Sequence, residues 1–136
     1  MYAGRVAETG QAADVFGHPG HPYAWGLLGS MPRLDAARVD RLQPIPGTPP
    51  SLINVPPGCP FHPRCAYPAE VGGDRCRAEV PALLEIGTGH RTACHLTVAK
   101  RQGILARLAL PESVSEPDVT ESAAGAATGV TEVEAP

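Results

Sequence analysis

The chain has 136 residues and a mass of 14.1 kDa, and its 16 prolines, 15 glycines and only 4% aromatic residues exclude a large self-sufficient core. Its net charge of -3 hides an acidic C-terminal stretch (Glu112, Glu116, Asp118, Glu121, Glu132, Glu134) beyond a body of about +3, and the ten arginines are scattered rather than clustered, which argues against a nucleic-acid partner. No run approaches the ~20 apolar residues of a membrane span and MYAGRVAETG holds no apolar signal region, so a cytosolic chain with reduced cysteines is expected.

In chain order, YAGRVAE reads as a turn leading into a strand over Arg5 to Glu8, closed by Thr9-Gly10. Thr9 is a candidate cap for a brief helix, QAADVF, with Val15 and Phe16 as its apolar contacts. Gly17-His18-Pro19-Gly20 stops it. HPYAWGLLGSMP predicts the best helix of the chain, with Pro22 at its first position. Tyr23 with Leu27, Ala24 with Leu28, and Leu27 with Met31 form its expected apolar stripe, and Pro32 ends it. Residues 33–58 form a proline-rich arm, extended and unfit for a sheet interior. Its Leu42, Ile45, Leu52, Ile53 and Val55 suggest that it lies along another surface. Ala99 to Leu110 predicts a short amphipathic helix interrupted at Gly103, and from Pro111 onward the composition is that of a disordered tail.

The chemistry concentrates in four cysteines, Cys59, Cys65, Cys76 and Cys94, spaced C-x5-C-x10-C-x17-C. Four thiolates can surround zinc or an iron–sulfur cluster. The spacing fits neither zinc-ribbon pairs nor the C-x2-C-x2-C ferredoxin run, and the wide first gap suits the larger cluster somewhat better. Four thiolates on Zn²⁺ or on an oxidised four-iron cluster leave about -2, which Arg64, Arg75, Arg77 and Arg91 are placed in sequence to offset. His62, His90 and His95 are possible substitute ligands. Disulfides, free buried cysteines and a nucleophilic Cys–His pair (Cys59 with His62, or Cys94 with His95) are the competing readings. The chain shows no G-x-x-x-x-G-K-S/T loop, H-E-x-x-H, G-x-S-x-G or G-x-G-x-x-G, so no catalytic residue is assigned and no enzyme activity is expected of it alone.

The series MYAGRVAETG, HPYAWGLLGSMPRLD, IPGTPPSLINVPPGCPFHPRC, DRC and GHRTACHL resembles the C-terminal region of the ATP-binding subunits of bacterial oligopeptide/dipeptide ABC importers, over residues 1 to about 97. The resemblance implies a small irregular α+β fragment. Residues 1–32 would close a nucleotide-binding domain with its terminal strand and helices, and 33–58 would be the arm. Residues 59–97 would be a four-cysteine extension that holds a 4Fe–4S cluster, with zinc as the alternative. A short helix over 98–110 and a disordered acidic tail over 111–136 would follow. The phosphate loop, signature and magnesium-site motifs that bind ATP and Mg are absent, so the chain resembles a fragment or a mis-started product. The complete subunit would power peptide import with transmembrane permease subunits and a sister ATP-binding subunit, on the inner face of the membrane. A stand-alone zinc-binding interaction module is the alternative.

Overall fold

The computed structural model describes residues 1–31 and 44–108. The predicted stop at Pro32, the first part of the arm with Leu42, the end of the C-terminal helix prediction and the acidic tail lie outside the described residues. The architecture is small and α+β, as the resemblance implies. Tyr2 to Arg5 form a tight turn closed by reciprocal backbone hydrogen bonds of 2.8 and 3.0 Å. Ala3 and Gly4 both take positive φ, 46° and 76°, as a type I′ turn requires. Because Arg5 is committed to that turn, strand β1 forms later than predicted, at Glu8–Thr9.

β1 pairs antiparallel with β3 (His90–Thr92), which pairs in turn with β2 (Leu84–Gly87), in the order β1-β3-β2. Glu8 stands opposite Thr92, and the β2–β3 ladder carries an irregularity between Glu85 and Gly87. The hairpin of β2 and β3 was not anticipated from sequence. Its signal is the alternating Leu84-Glu85-Ile86 before Gly87-Thr88-Gly89, with Gly89 at φ 71°.

Helix α1 (Ala12–Gly17) is capped by Gln11 rather than Thr9, without a side-chain bond, and Phe16 is 57% exposed. Helix α2 (Pro22–Gly29) begins with Pro22 as predicted, and the His21 ring Nδ1 accepts from the Tyr23 N–H at 3.0 Å. The face it buries is Pro22, Trp25 and Leu28, at i, i+3 spacing. The expected stripe holds at Leu28 and fails at Leu27 and Met31, which are both half exposed. Trp25 decides this, since its Nε1 donates to the Pro19 carbonyl at 2.7 Å inside the core. A buried indole that meets a partner outweighs a Leu–Met pair with nothing to cover it.

The described part of the arm is anchored near its start. Ile45 packs so closely over Gly26 that a Cβ there would lie 2.6 Å from its Cγ1. Arg64 donates to the carbonyls of Pro46 (2.8 Å) and Ile45 (2.9 Å). Farther along, Leu52 and Ile53 are exposed, so the expected packing holds for Ile45 and fails for them. A 3-10 turn (His62–Arg64) and the one-turn helices α3 (Pro68–Val71) and α4 (Arg75–Ala78) follow. Helix α5 (Val98–Leu105) is capped by the Thr97 side chain and runs through Gly103 without interruption.

Two small cores result. Tyr2, Ala7, Cys59 and Phe61 form one, in which the rings of Tyr2, Tyr23 and Phe61 meet edge-on or tilted at 4.9–5.6 Å. Trp25, Leu96 and Ile104 form the other, with Tyr67, Val71 and Cys94 packed against it. Among the described residues no helix is long and apolar enough to cross a membrane.

A buried carboxylate joins these parts. The Glu8 side chain, 5% exposed, accepts from the Gly20 N–H (2.6 Å) and the His21 N–H (2.9 Å), and stands 2.7 Å from His90 Nε2. A carboxylate holding two backbone donors can only accept, so that ring nitrogen carries the proton. Replacing Glu8 with Ala would strand two buried N–H groups and an imidazole, and should destabilise the chain by about 3 kcal/mol in chemical denaturation. A loss below about 1 kcal/mol would refute the joining role. Next to it, burial holds the His21 imidazole down to about 4 from its ordinary 6.5, opposed by the Ala93 carbonyl and aided by the Arg101 charge. The unfolded chain therefore binds a proton that the native chain refuses between pH 6.5 and about 4. Stability should be fully held above that window and fall as pH drops through it, by roughly 3 kcal/mol. His21→Asn retains an acceptor at the cap and should flatten this decline; an unchanged pH profile would show that His21 is not its source.

Candidate functional site

The four predicted cysteines come from four separate segments, and the fold brings them to one cavity. Gly58 makes the first approach possible. At φ 69°, a Cβ on it would stand 2.5 Å from the Arg77 carbonyl oxygen, so only glycine lets the two backbones run this close. The Cys59 N–H then donates to the Cys76 carbonyl at 2.9 Å, locking the loop before Cys59 to α4. Cys65 ends the 3-10 turn, and its sulfur accepts from the Tyr67 N–H at 3.4 Å. Cys94 leaves β3 just after the Ala93 N–H has bonded the Ala7 carbonyl at 2.8 Å, so the sheet sets its position.

All four are unpaired thiols, so the disulfide reading does not describe this fold. The cavity takes walls from both cores and encloses about 10 Å³, the room of one water. Cys65 and Cys76 also border a wide outer depression together with His62 and Asp74. Anything larger than a single small ligand would need the thiol side chains to rotate toward that depression. Among the described residues no three His, Cys, Asp or Glu side chains form a group that could hold a metal ion.

The electrostatics of the cavity oppose free thiolate. Burial pushes the Cys59 thiol up to about 11 and the Cys65 thiol up to about 12, with the other cysteines adding repulsion to both. Cys76 and Cys94 are raised by burial as well. Each sulfur therefore remains protonated at neutral pH unless a cation replaces its proton. An activated nucleophile requires the opposite shift. The histidines also fail the nucleophile reading: His62 Nδ1 bonds the Cys59 carbonyl (2.9 Å) and His95 Nε2 bonds the Glu79 carbonyl (2.9 Å).

His62 and His95 do line the cavity, whereas His90 is turned to Glu8 instead. His21, which sequence reasoning passed over, lines it too. Of the arginines expected to offset cluster charge, only Arg75 acts on a cysteine, its charge opposing the rise of the Cys76 thiol. Arg64 holds the arm, Arg75 pairs with Glu79 (3.1 Å), Arg77 lies 3.8 Å from Asp74, and Arg91 is exposed on β3. The cation that hydrogen-bonds a cysteine is Arg101 of α5, whose Nη2 donates to the Cys94 carbonyl at 3.0 Å. No local spacing announces it, because the contact depends on how α5 docks.

The donor set itself is chemically coherent: four soft sulfurs, no carboxylate among the cavity walls, and a buried guanidinium alongside. Residues 7–71 match the model of the oligopeptide/dipeptide transporter C-terminal region. The chain is 53% identical over 94 residues to the oligopeptide transport ATP-binding protein OppD of Mycobacterium tuberculosis, covering 69% of this chain and 15% of that protein. It is 49% identical over 94 residues to OppD of Escherichia coli and 46% identical over 94 to OppD of Salmonella typhimurium, in each case 69% of this chain and 26% of the relative. The chain thus spans between about a seventh and about a quarter of the length of these curated relatives. Over residues 7–71 the chain is thus a C-terminal segment similar to the oligopeptide/dipeptide transporter C-terminal region.

Proposed function

We propose that this chain serves as the C-terminal part of a peptide importer's ATP-binding subunit, and that Cys59, Cys65, Cys76 and Cys94 hold one thiolate-bound metal centre that staples its two small cores together. The observation that carries the second half is the meeting of all four sulfurs, from four segments, at a single cavity. A chain with so little apolar core gains stability from such a staple directly, because the binding free energy of a structural metal is folding free energy.

An iron–sulfur cluster is favoured over zinc. A single tetrahedral zinc demands all its sulfurs at 2.3 Å from one point. A four-iron cluster asks each sulfur to reach a different iron, which the wide C-x5-C gap between Cys59 and Cys65 suits better. When bound, such a centre supplies a structural crosslink that is also open to oxidation. The chain's own residues set its surroundings: Gly58 allows the approach of Cys59 to Cys76, and the sheet delivers Cys94.

The larger role follows the OppD relatives, which are oligopeptide transport ATP-binding proteins. The complete subunit would bind ATP and Mg and power peptide uptake beside transmembrane permease subunits and a sister ATP-binding subunit, at the inner face of the membrane. This segment would contribute structure and docking rather than hydrolysis, since no phosphate-binding loop occurs in it.

The test is anaerobic purification and reconstitution of the full 136-residue chain with ferrous iron and sulfide. The expected product is brown, with broad visible absorption and bound iron and sulfide. Cys65→Ser and Gly58→Ala should each retain at least roughly tenfold less iron after chelator challenge and melt at lower temperature. A colourless chain that binds zinc instead would transfer the site to that metal. A folded chain that takes up neither metal, with Cys65→Ser as stable as wild type, would refute the centre.

A further inference from the structure

Arg101 is 6% exposed, a depth at which a guanidinium needs partners on every side. Its Nη2 donates to the Cys94 carbonyl at 3.0 Å, and the group also acts on the Cys94 sulfur through its charge and a side-chain hydrogen bond. Its Nε is buried with no hydrogen-bond partner. Among the described residues no carboxylate stands within ion-pair distance of it. The Glu8 charge acts on Arg101 from beyond ion-pair distance, but its oxygens are already engaged by Gly20, His21 and His90. A permanent cation with an open donor, buried beside a sulfur of the four-cysteine cavity, calls for negative charge at that place. Four thiolates around a metal centre carry about -2, and of the arginines near the cysteines in sequence only Arg75, half exposed and paired with Glu79, also acts on one of the sulfurs.

We infer that Arg101 is the resident counter-ion of the four-cysteine site, and that through it the docking of α5 is coupled to whether the site is filled. The inference rests on the reading of the cysteines as one metal centre. Coupling of this kind is reciprocal: whatever Arg101 contributes to holding the centre, the centre contributes to holding α5. The other contacts of α5 do not depend on charge at the site. Ile104 is buried among Trp25 and Leu96, and Lys100 Nζ donates to the Glu70 carbonyl. The helix therefore stays associated when the site is empty, with its grip loosened, and filling the site tightens it. Arg101 acts as a positioning residue, since it meets the ligand sulfur and not the metal.

The experiment uses the full chain, metal-free and loaded anaerobically with ferrous iron and sulfide, as wild type, Arg101→Met and Arg101→Lys. Iron retention under chelator, amide hydrogen exchange over residues 98–105 and thermal melting are measured in both states. Loading should slow exchange over 98–105 in the wild type. Arg101→Met should lose iron at least roughly tenfold faster and show no such slowing, and Arg101→Lys, which keeps the charge, should recover part of both. The fall in melting temperature caused by Arg101→Met should be larger in the loaded chain than in the metal-free one, whereas a merely structural arginine would lower both equally. If Arg101→Met retains iron as wild type does, or if loading leaves wild-type exchange over 98–105 unchanged, the coupling is overturned while the metal centre stands. If wild type takes up no metal, both fall. Should Arg101→Met fail to fold, the exchange difference within the wild type decides alone.

Discussion

The Glu8 carboxylate is the point on which the rest of this small structure depends. Two backbone N–H groups from the segment entering α2 and one imidazole from β3 converge on it, and hardly any water reaches it. A charge buried that deeply is tolerable only with all of its donors in place. Once they are, three parts of the chain lose their freedom relative to one another. The start of α2 is set, so Trp25 enters its core. The position of β3 is set as well, so Cys94 arrives where the other cysteines are. With few large apolar side chains available, polar convergence does the joining that a bigger domain would leave to hydrophobic burial.

The sulfur site sets a second opposition of forces. Desolvation penalises each thiolate, so the cavity resists charging one cysteine at a time. A metal centre would change that balance for all four at once, because its positive charge would replace four protons together. Without one, the buried thiols stay protonated and are poor nucleophiles. The cation beside it comes from α5, a helix at some distance in sequence from three of the four cysteines. The arginines nearest to those cysteines in sequence are spent on the proline arm or on exposed ion pairs.

Local chemistry was readable in the chain, and long-range geometry was not. Pro22 announced the start of α2, the pattern from Ala99 onward gave α5 although it placed a break at Gly103, and four cysteines within one glycine- and proline-rich stretch pointed to a shared cavity. The first two signals act within a few residues, and the third needs only composition. The contact of Glu8 with His90 spans 82 residues, and no periodicity encodes it. The need for glycine at position 58 appears only when the Cys76–Arg77 backbone is seen against it. The buried face of α2 was legible in part: Leu28 is buried as its spacing implied, while the hydrogen bond from Trp25 to Pro19 turns the helix so that Leu27 and Met31 face outward.

Trp25 is the only tryptophan in the chain. Its indole is held by the bond to Pro19, meets the Tyr67 ring edge-on at 5.4 Å, and shares its core with Ile104 of α5 and with Cys94. That placement turns a packing residue into an optical gauge. Its emission responds to the docking of α5 on one flank and to any strongly absorbing centre at the cysteines on the other. The protein carries its own fluorophore in the core that α5 completes, and the state of that core can be followed without attaching a label.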